Sequence, residues 1–376
     1  MSKWTVRLGI AALLIVAAVA FGARAKGQMY DFNVYLTAGA RVVAGETLYR
    51  AEDGHWQYKY LPAFAFVIAP LSLLPPVVAR AIWFALSIGL LILFINRALV
   101  LLPDRRMIAR VLVGLTVLAM GKFYVREVGL GQANLLLAVL VLVALDAGRR
   151  GRDTLAGVLL AAATIVKPYA IIFLPYLVAR RRTRTAAWFV GGMAVALLLP
   201  IVRYGVGGNF DLLRGLWQVV TTSTAPNIAG QDNVSIAGMF AAWFGVGQVA
   251  SRLAIVTAVA ALAACAWVLR RRGPGTCPEY LDAAVLLFLM PLLSPQGWDY
   301  VLLITTPAIM LLLDRMEGDA VPLRVLLIAC LAIVGLSLWD VMGREWYRTF
   351  MMTRVVSVCA LIELAMVLRL RVVRAA

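Results

Sequence analysis

Apolar stretches separated by short polar segments run along most of the chain. A helix needs about 20 apolar residues to cross a bilayer, and the stretches near residues 5–22 and 76–97 come close to that length. Ten further stretches lie near residues 108–121, 131–147, 154–166, 168–179, 185–203, 250–269, 280–293, 300–313, 321–338 and 350–368. The pattern predicts an all-α polytopic membrane protein with about 12 transmembrane helices, the shorter of which tilt, stop short or re-enter.

The segment 23–75 is a long connection between the first two predicted crossings. Four of its residues recur at helical spacing: Phe32, Tyr35, Gly39 and Val42. This spacing predicts a helix that lies in the membrane interface, with Asp31 at its start. The alternative for Asp31 is an N-cap, which accepts backbone hydrogen bonds and has no further function. The stretch from Tyr58 to Pro70 is too short to cross. It is predicted to dip into the bilayer and return, and a helix lying on the interface is the alternative.

The composition excludes a soluble globular protein. The chain has 376 residues, of which 63% are hydrophobic and 15% are charged, and its mean hydropathy is +0.89. Soluble domains are nearer half apolar and about a quarter charged, so the excess apolar surface must face lipid. We therefore expect one integral membrane domain over residues 1–376, without a separate soluble domain.

The basic residues predict the orientation in the membrane. More than half of the 36 Lys and Arg lie in short runs, at 3–7, 97–110, 149–152, 180–184, 270–272, 315–324 and 369–374. Such runs mark cytoplasmic loops and contact anionic membrane lipids, so the formal charge of +17 does not indicate a nucleic-acid partner. With every run in the cytoplasm, the long loops 23–75 and 204–249 are extracytoplasmic. We therefore expect the working surface on the outer face.

Few residues could hold a metal or form a disulfide. The four cysteines fall in predicted membrane helices or a cytoplasmic turn: Cys265, Cys277, Cys330 and Cys359. The sequence has a single histidine, His55, and no Cys-x-x-Cys pair. We expect no disulfide, no metal site and no cofactor.

Three cations outside the basic runs are candidates for binding an anion. Lys167 lies between two short apolar stretches, where an ammonium needs an anionic partner such as a lipid phosphate. The alternative is a lysine that snorkels to ordinary headgroups. Lys122 and Arg126 lie in a predicted outer turn, beside Glu127.

Amides, aromatic residues and carboxylates gather on the same predicted face. Gln132 and Asn134 enter a predicted membrane helix, where they could bind sugar hydroxyls or hold helices together. Further candidates for substrate contact lie in two outer loops: Gln231, Asn233, Ser235, Trp298, Asp299 and Tyr300. Trp and Tyr also anchor proteins in the interface, so each aromatic residue alone is weak support.

These segments resemble the GT-C glycosyltransferases, and in particular glycosyltransferase family 87. The matching pieces are Asp31-Phe32-x-Val34-Tyr35, Gly45-x-x-Leu48-Tyr49, Tyr60-x-Pro62 with Pro70, Trp83, Gly131-Gln132-x-Asn134, Lys167-Pro168, Asn233-x-Ser235 and Ser294-Pro295-x-x-Trp298-Asp299. Two positions depart from the family pattern: Leu61 replaces a proline, and Tyr300 with Val301 follows the Trp-Asp pair where a histidine is common.

The resemblance implies a GT-C fold and a catalytic base at Asp31. It implies that Lys167 lies near the phosphate of a polyprenyl-phosphate sugar donor, and that Tyr35 and Tyr60 border the active site. The sugar would be a hexose such as mannose, and the acceptor a glycolipid or polysaccharide outside the bacterial cytoplasmic membrane. Because a phosphate-linked sugar carries a good leaving group, a base and cations suffice, and a single displacement inverts the anomeric centre.

Two other classes remain open from the sequence. A secondary transporter or lipid flippase has a similar number of helices, although such proteins show duplicated halves and ionisable groups near the midplane. A non-catalytic membrane protein that assembles or binds polysaccharide would need no carboxylate at Asp31.

Overall fold

The computed structural model describes residues 29–270 and 277–373. The crossing predicted near 5–22 lies outside these residues. All regular structure in the described chain is helical, which confirms the all-α prediction. One isolated antiparallel bridge joins the backbones of Asn233 and Trp298.

The helices of the described residues are numbered in chain order. Those that end before residue 200 are α1 (Tyr30–Ala44), α2 (Pro62–Ser72), α3 (Pro76–Leu101), α4 (Ala109–Leu130), α5 (Asn134–Arg149), α6 (Asp153–Val166), α7 (Phe173–Ala179) and α8 (Thr183–Leu198). Those that follow are α9 (Ile201–Asn227), α10 (Ile236–Phe244), α11 (Gln248–Arg270), α12 (Pro278–Leu293), α13 (Thr306–Arg315), α14 (Val321–Leu336), α15 (Trp339–Met342), α16 (Arg344–Met352) and α17 (Val355–Val373). Short 3₁₀ segments occupy Ala51–Trp56, Pro168–Ile172, Asp299–Thr305 and Met316–Gly318.

Helix α1 is the helix that the apolar spacing predicts. It buries one face, which consists of Phe32, Tyr35, Ala38, Gly39 and Val42. Helix α1 packs closely on α2. A Cβ at Gly39 would lie only 3.1 Å from the backbone of Ala69, so the two helices approach each other closely at this glycine. Helix α2 begins at Pro62, whose fixed φ suits the first turn of a helix. The short segment predicted after Tyr58 is therefore an apolar helix of 11 residues.

Fewer helices are long enough to cross a membrane than the sequence pattern predicts. Helices α3 and α11 have the length and composition of membrane spans. Two bent pairs also qualify if each counts as one span: α4 with α5, bent by 116°, and α8 with α9, bent by 89°. By these criteria the described chain holds two to four spans, and the count of twelve stays a prediction.

Two predicted loops are helical instead. Helix α4 continues to Leu130, so Lys122, Arg126 and Glu127 lie on its last turns and not in an outer turn. The segment 204–249 is mostly helix, formed by the greater part of α9 and by α10. Tertiary packing supports the end of α4, where Lys122, Phe123, Tyr124 and Glu127 are buried, whereas α9 buries only Asn209, Leu212 and Val219.

The sharp turn between α4 and α5 brings distant segments together. The amide of Met29, just before α1, donates to the carbonyl of Gly129 at 3.0 Å. The indole of Trp83 on α3 donates to the carbonyl of Gly131 at 2.9 Å. Gly131 has a φ of +68°, and a Cβ there would lie 2.7 Å from the side chain of Phe32, so only glycine fits. Gln132 follows this turn and faces α1.

Candidate active site

The side chain of Gln132 is the centre of a buried polar cluster. Its Oε1 accepts hydrogen bonds from Tyr35 Oη at 3.0 Å and from Lys167 Nζ at 3.2 Å. Tyr60 Oη lies 3.4 Å from the same oxygen and 2.7 Å from Tyr35 Oη. Gln132 Nε2 donates to Tyr300 Oη at 3.1 Å. Five residues predicted separately from the sequence therefore meet at one amide, and we name them the Gln132 cluster.

Asp31 lies in the first turn of α1, at the edge of the Gln132 cluster. The N-cap of α1 is Met29, whose side chain makes no capping hydrogen bond, so Asp31 is inside the helix and is not its N-cap. The side chain is half-buried. Burial raises the pKa of Asp31, while a hydrogen bond with Gln132 and the positive charge of Lys167 lower it in part. A carboxyl with a raised pKa is suited to accept a proton.

Lys167 is buried, with 9% of its surface exposed. It follows the last residue of α6, and its ammonium lies 5.2 Å from the centre of the Tyr60 ring. The carboxyls that interact with its charge are those of Glu127 and Asp31. A snorkelling lysine would reach out to the surface, whereas this side chain points into the protein. The ammonium therefore lies inside the protein, bonded to Gln132 and near the carboxyls of Glu127 and Asp31.

Asn134 is held inside the protein by two neighbours. Its amide nitrogen donates to Glu127 Oε2 at 2.7 Å, and its Oδ1 accepts from Tyr169 Oη at 3.0 Å. Glu127 Oε1 also accepts from the amide of Leu135 at 2.9 Å. These bonds fit the alternative in which Asn134 holds helices together. Glu127 was visible in the sequence only as a neighbour of two cations, and Tyr169 was not identified from it.

Arg126 and Lys122 belong to a second polar cluster, around Asp299. Arg126 contacts the two carboxylate oxygens of Asp299 at 2.6 and 2.7 Å and Asp232 at 3.2 Å. Lys122 Nζ lies 3.5 Å from Asp299, which is fully buried, and donates to Ser337 Oγ at 2.8 Å. The two cations expected at a donor phosphate thus already have a carboxylate partner.

The second cluster lies next to the first. The guanidinium of Arg126 is 5.7 Å from the centre of the Tyr300 ring, and Tyr300 belongs to the Gln132 cluster. Tyr347 Oη donates to Asp232 Oδ1 at 3.3 Å. Burial and the neighbouring charge of Asp299 raise the pKa of Asp232, against the opposing effect of Arg126. Asp232 lies within a loop segment that the sequence marked as polar but was not among the predicted site residues, and Tyr347 was not identified, because no local pattern connects residues so far apart.

The loop around Asn233 is fixed by its own side chains. Asn233 Nδ2 donates to the carbonyls of Ile228 and Pro295, and its Oδ1 accepts from the amide of Ser235. Ser235 is the N-cap of α10, with its hydroxyl accepting from the amide of Gly238 at 2.9 Å. Both predicted contact residues therefore shape the loop, and neither side chain is open to a ligand.

Arg354, the residue just before α17, also holds the loop around Asn233. The residue is fully buried, and its guanidinium donates to four backbone carbonyls, those of Ala229, Gly230, Gln231 and Asn233. The bridge to Asn233 positions Trp298 against this loop, where its ring lies near Gly230. Gln231 and Trp298 remain partly exposed, so they can still contact a bound molecule.

A concave surface lies along the face of α1 that carries Tyr30, Asn33 and Arg41, and it includes the chain neighbour of Asp31 but not Asp31 itself. The cavity has a volume of about 270 Å³ and is lined by Tyr30, Asn33, Val34, Thr37, Arg41, Asp53, Trp56 and Tyr58. The rings of Tyr30 and Trp56 stack at 5.0 Å and are both exposed. Arg41 and Asp53 form a pair of parallel hydrogen bonds at 2.6 and 2.7 Å. Aromatic faces beside a planar polar pair are suited to a sugar ring.

Within residues 29–270 and 277–373, no group of three His, Cys, Asp or Glu side chains is placed to hold a metal ion. The polar groups of the site are therefore a carboxyl, an ammonium, amides and tyrosine hydroxyls. A carboxyl beside an ammonium can remove a proton on one side of a reacting centre and stabilise an anion on the other.

The helices and the buried polar clusters define a helical membrane protein with a site built from several segments. The chain matches the model of glycosyltransferase family 87 over residues 58–295, which is more than half of its length. It therefore belongs to glycosyltransferase family 87, and this confirms the predicted family. A search of curated proteins and a search of solved structures each found no match.

The family match contains most of the Gln132 cluster. Tyr60, Gln132 and Lys167 lie inside the matched residues, whereas Asp31 and Tyr35 precede them and Tyr300 follows them. The chain is accordingly a membrane glycosyltransferase.

Proposed function

We propose that this protein moves a hexose, such as mannose, from a polyprenyl-phosphate donor to a hydroxyl of a glycolipid or polysaccharide acceptor. The observation that carries the proposal is that the Asp31 carboxyl and the buried Lys167 ammonium both interact with the side chain of Gln132. The anomeric centre would lie between them. The acceptor would approach from the Asp31 side, and the donor phosphate would lie against Lys167.

In the proposed reaction, Asp31 takes the proton of the acceptor hydroxyl while the hydroxyl oxygen attacks the anomeric carbon. The bond between that carbon and the phosphate oxygen breaks, and polyprenyl phosphate leaves with the electron pair. Lys167 stabilises the negative charge that grows on the phosphate. Gln132 and the tyrosines around it keep the ammonium in position. A single displacement of this kind inverts the anomeric configuration.

The proposal predicts transfer by the purified protein alone. In detergent, it should convert a polyprenyl-phosphate hexose and an extracted lipid acceptor into a heavier glycolipid, detected by mass spectrometry. Nucleotide sugars offered without the lipid donor should give no product. Donor movement between leaflets of reconstituted vesicles, without any transfer, would favour a flippase instead.

The concave surface beside Asp31 is the proposed place of the acceptor sugar. Trp56→Ala removes one of its two stacked rings, so we expect the acceptor concentration for half-maximal rate to rise about threefold to tenfold. The rate at saturating acceptor should change little. Trp346→Ala is the matched control, since Trp346 is an exposed tryptophan on α16 away from this surface. Equal effects of the two variants would exclude the surface as an acceptor site.

We also propose that the site faces outward across the bacterial cytoplasmic membrane. A cysteine at Gln231 should then react with a reagent added outside sealed cells, and cysteines at Arg150 and Arg182 should react only after the membrane is opened. The four native cysteines are buried, so the parent protein provides the background. Labelling of positions 182 and 231 from one side would refute the orientation and the scheme of twelve crossings.

A further inference from the structure

A second cavity lies at the opposite end of the helices that build the active site. Gln132 lies just before the start of α5, while Gly148 and Arg149 at its end line this cavity. Lys167 follows the end of α6, while Ala156 near its start is part of the cavity wall. The lining residues on α5 run from Val141 to Arg149, which lie about 10 and 22 Å along the helix axis from Asn134.

The cavity is larger than the surface beside Asp31 and has mostly apolar walls. Its volume is about 360 Å³. The walls include Leu145 on α5, Leu160 on α6, and Phe173 and Leu177 on α7. A dissolved inorganic ion gains nothing from such walls, whereas a hydrocarbon chain is removed from water by them. The shape and chemistry of the walls therefore suit an amphipathic molecule.

The charged residues of the cavity are mainly positive. Four arginines, Arg149, Arg180, Arg182 and Arg371, face two carboxylates, Asp282 and Glu279. The lining therefore has an excess of two positive charges.

The carboxylates are already engaged by the protein. Asp282 is almost fully buried; it pairs with Arg180, contacts Arg371 at 2.9 Å and accepts from Tyr176 Oη at 2.9 Å. Glu279 lies 3.6 Å from Arg182, and both side chains are partly exposed. An anion that enters would meet a lining in which guanidinium groups outnumber carboxylates by two.

We propose that this cavity binds the phosphate headgroup of an anionic membrane lipid, with part of its hydrocarbon chain against the apolar walls. Basic pockets between membrane helices are sites where anionic headgroups bind. Guanidinium groups suit a phosphate, because they donate parallel hydrogen bonds to its oxygens. The proposal does not depend on the reaction at Asp31, since it concerns the other end of the helices.

The test measures lipid binding in neutral detergent by native mass spectrometry. Phosphatidylglycerol is titrated against phosphatidylcholine, which has similar chains and no net charge. We expect selective retention of phosphatidylglycerol by the unchanged protein. Equal retention of the two lipids would overturn the proposal. Full displacement of phosphatidylglycerol by millimolar inorganic phosphate would also overturn it, because that result would define a site for a free anion.

Paired variants separate this cavity from basic surface in general. Arg149→Gln with Arg182→Gln removes two cavity charges, and we expect phosphatidylglycerol to bind about 10- to 30-fold more weakly. Arg150→Gln with Arg152→Gln makes the same change in net charge at exposed neighbours that do not line the cavity, so binding should be kept. Equal weakening in both double variants would contradict a specific site.

A third variant has an expected effect of the opposite sign. Glu279→Gln removes a negative charge from the lining, so phosphatidylglycerol should bind more tightly, by about threefold or more. A misfolded protein cannot give this result, and unchanged or weaker binding would count against the proposal. Sugar transfer measured on the same preparations shows whether the active site is intact, so failure of this proposal is distinguishable from failure of the proposed reaction.

Discussion

Sugar transfer is expected to fall by about 100- to 10,000-fold when Asp31 is replaced by Asn, because an amide cannot accept the proton of the attacking hydroxyl. Asn has nearly the shape of Asp and can still receive a hydrogen bond from Gln132. The donor should therefore bind as before. The measurement is the initial rate of glycolipid formation by the purified variant, together with the donor concentration that gives half the maximal rate.

The melting temperature separates the loss of a base from damage to the fold. Burial raises the pKa of Asp31, so its ionised form costs the folded state stability at any pH above the ordinary carboxyl pKa. Asp31→Asn removes that cost and should not lower the melting temperature. Asp211→Asn is the matched control, since Asp211 is an exposed carboxylate on α9. Near-normal transfer by Asp31→Asn would eliminate Asp31 as the base.

The pH profile tests the same assignment in the unchanged protein. A base works only when it is ionised, so the rate should fall as the pH drops through the pKa of Asp31. Because that pKa is raised, the fall should occur above the range of an ordinary carboxyl group. A rate that stays constant down to the ordinary range would mean that another group accepts the proton.

Local patterns in the sequence were sufficient to predict some of the structure. The spacing of Phe32, Tyr35, Gly39 and Val42 predicted α1, because apolar residues at this spacing form one face of a helix that packs against the rest of the protein. The lone cation Lys167 and the amide Gln132 were identified because polar groups between apolar stretches need partners. The structure brings Lys167 and Gln132 together with Tyr35 of α1 in the Gln132 cluster.

Other parts of the site depend on contacts that no local pattern reveals. Arg126 was expected at a donor phosphate, yet it pairs with Asp299 and Asp232, which come more than a hundred residues later. Arg354 was not identified, because an arginine that holds backbone carbonyls looks like any other basic residue in the sequence. The extension of α4 through Lys122 and Glu127 was not predicted, because the partners of these buried side chains, such as Ser337 and Asn134, come from other segments.

Lys167→Ala is the second change with a large expected effect. If Lys167 holds the donor phosphate, Ala removes a charge-assisted contact worth roughly 1.5–3 kcal/mol. The donor concentration for half-maximal rate should then rise by about 10- to 100-fold. Lys167→Arg should restore part of this loss, because it keeps the charge but not the compact geometry of the ammonium.

Lys122→Ala provides the comparison, because Lys122 is also a buried lysine of a polar cluster. Its contacts are with Asp299 and Ser337, so its loss should lower the melting temperature by leaving a buried carboxylate with fewer partners. The donor concentration for half-maximal rate should change much less than in Lys167→Ala. The prediction thus assigns a binding effect to one lysine and a stability effect to the other.

Donor saturation and melting temperature, measured on the same preparations, decide between binding and packing at Lys167. Lys167→Ala also deletes the hydrogen bond to Gln132 Oε1, so a modest drop in melting temperature is expected in either case. A purely structural lysine would show that drop without a change in donor saturation, and Arg would then rescue stability alone. A phosphate-binding lysine shifts donor saturation even at a temperature where the variant is fully folded. Unchanged saturation there would remove Lys167 from the active site and leave Asp31 without a neighbouring cation from the Gln132 cluster.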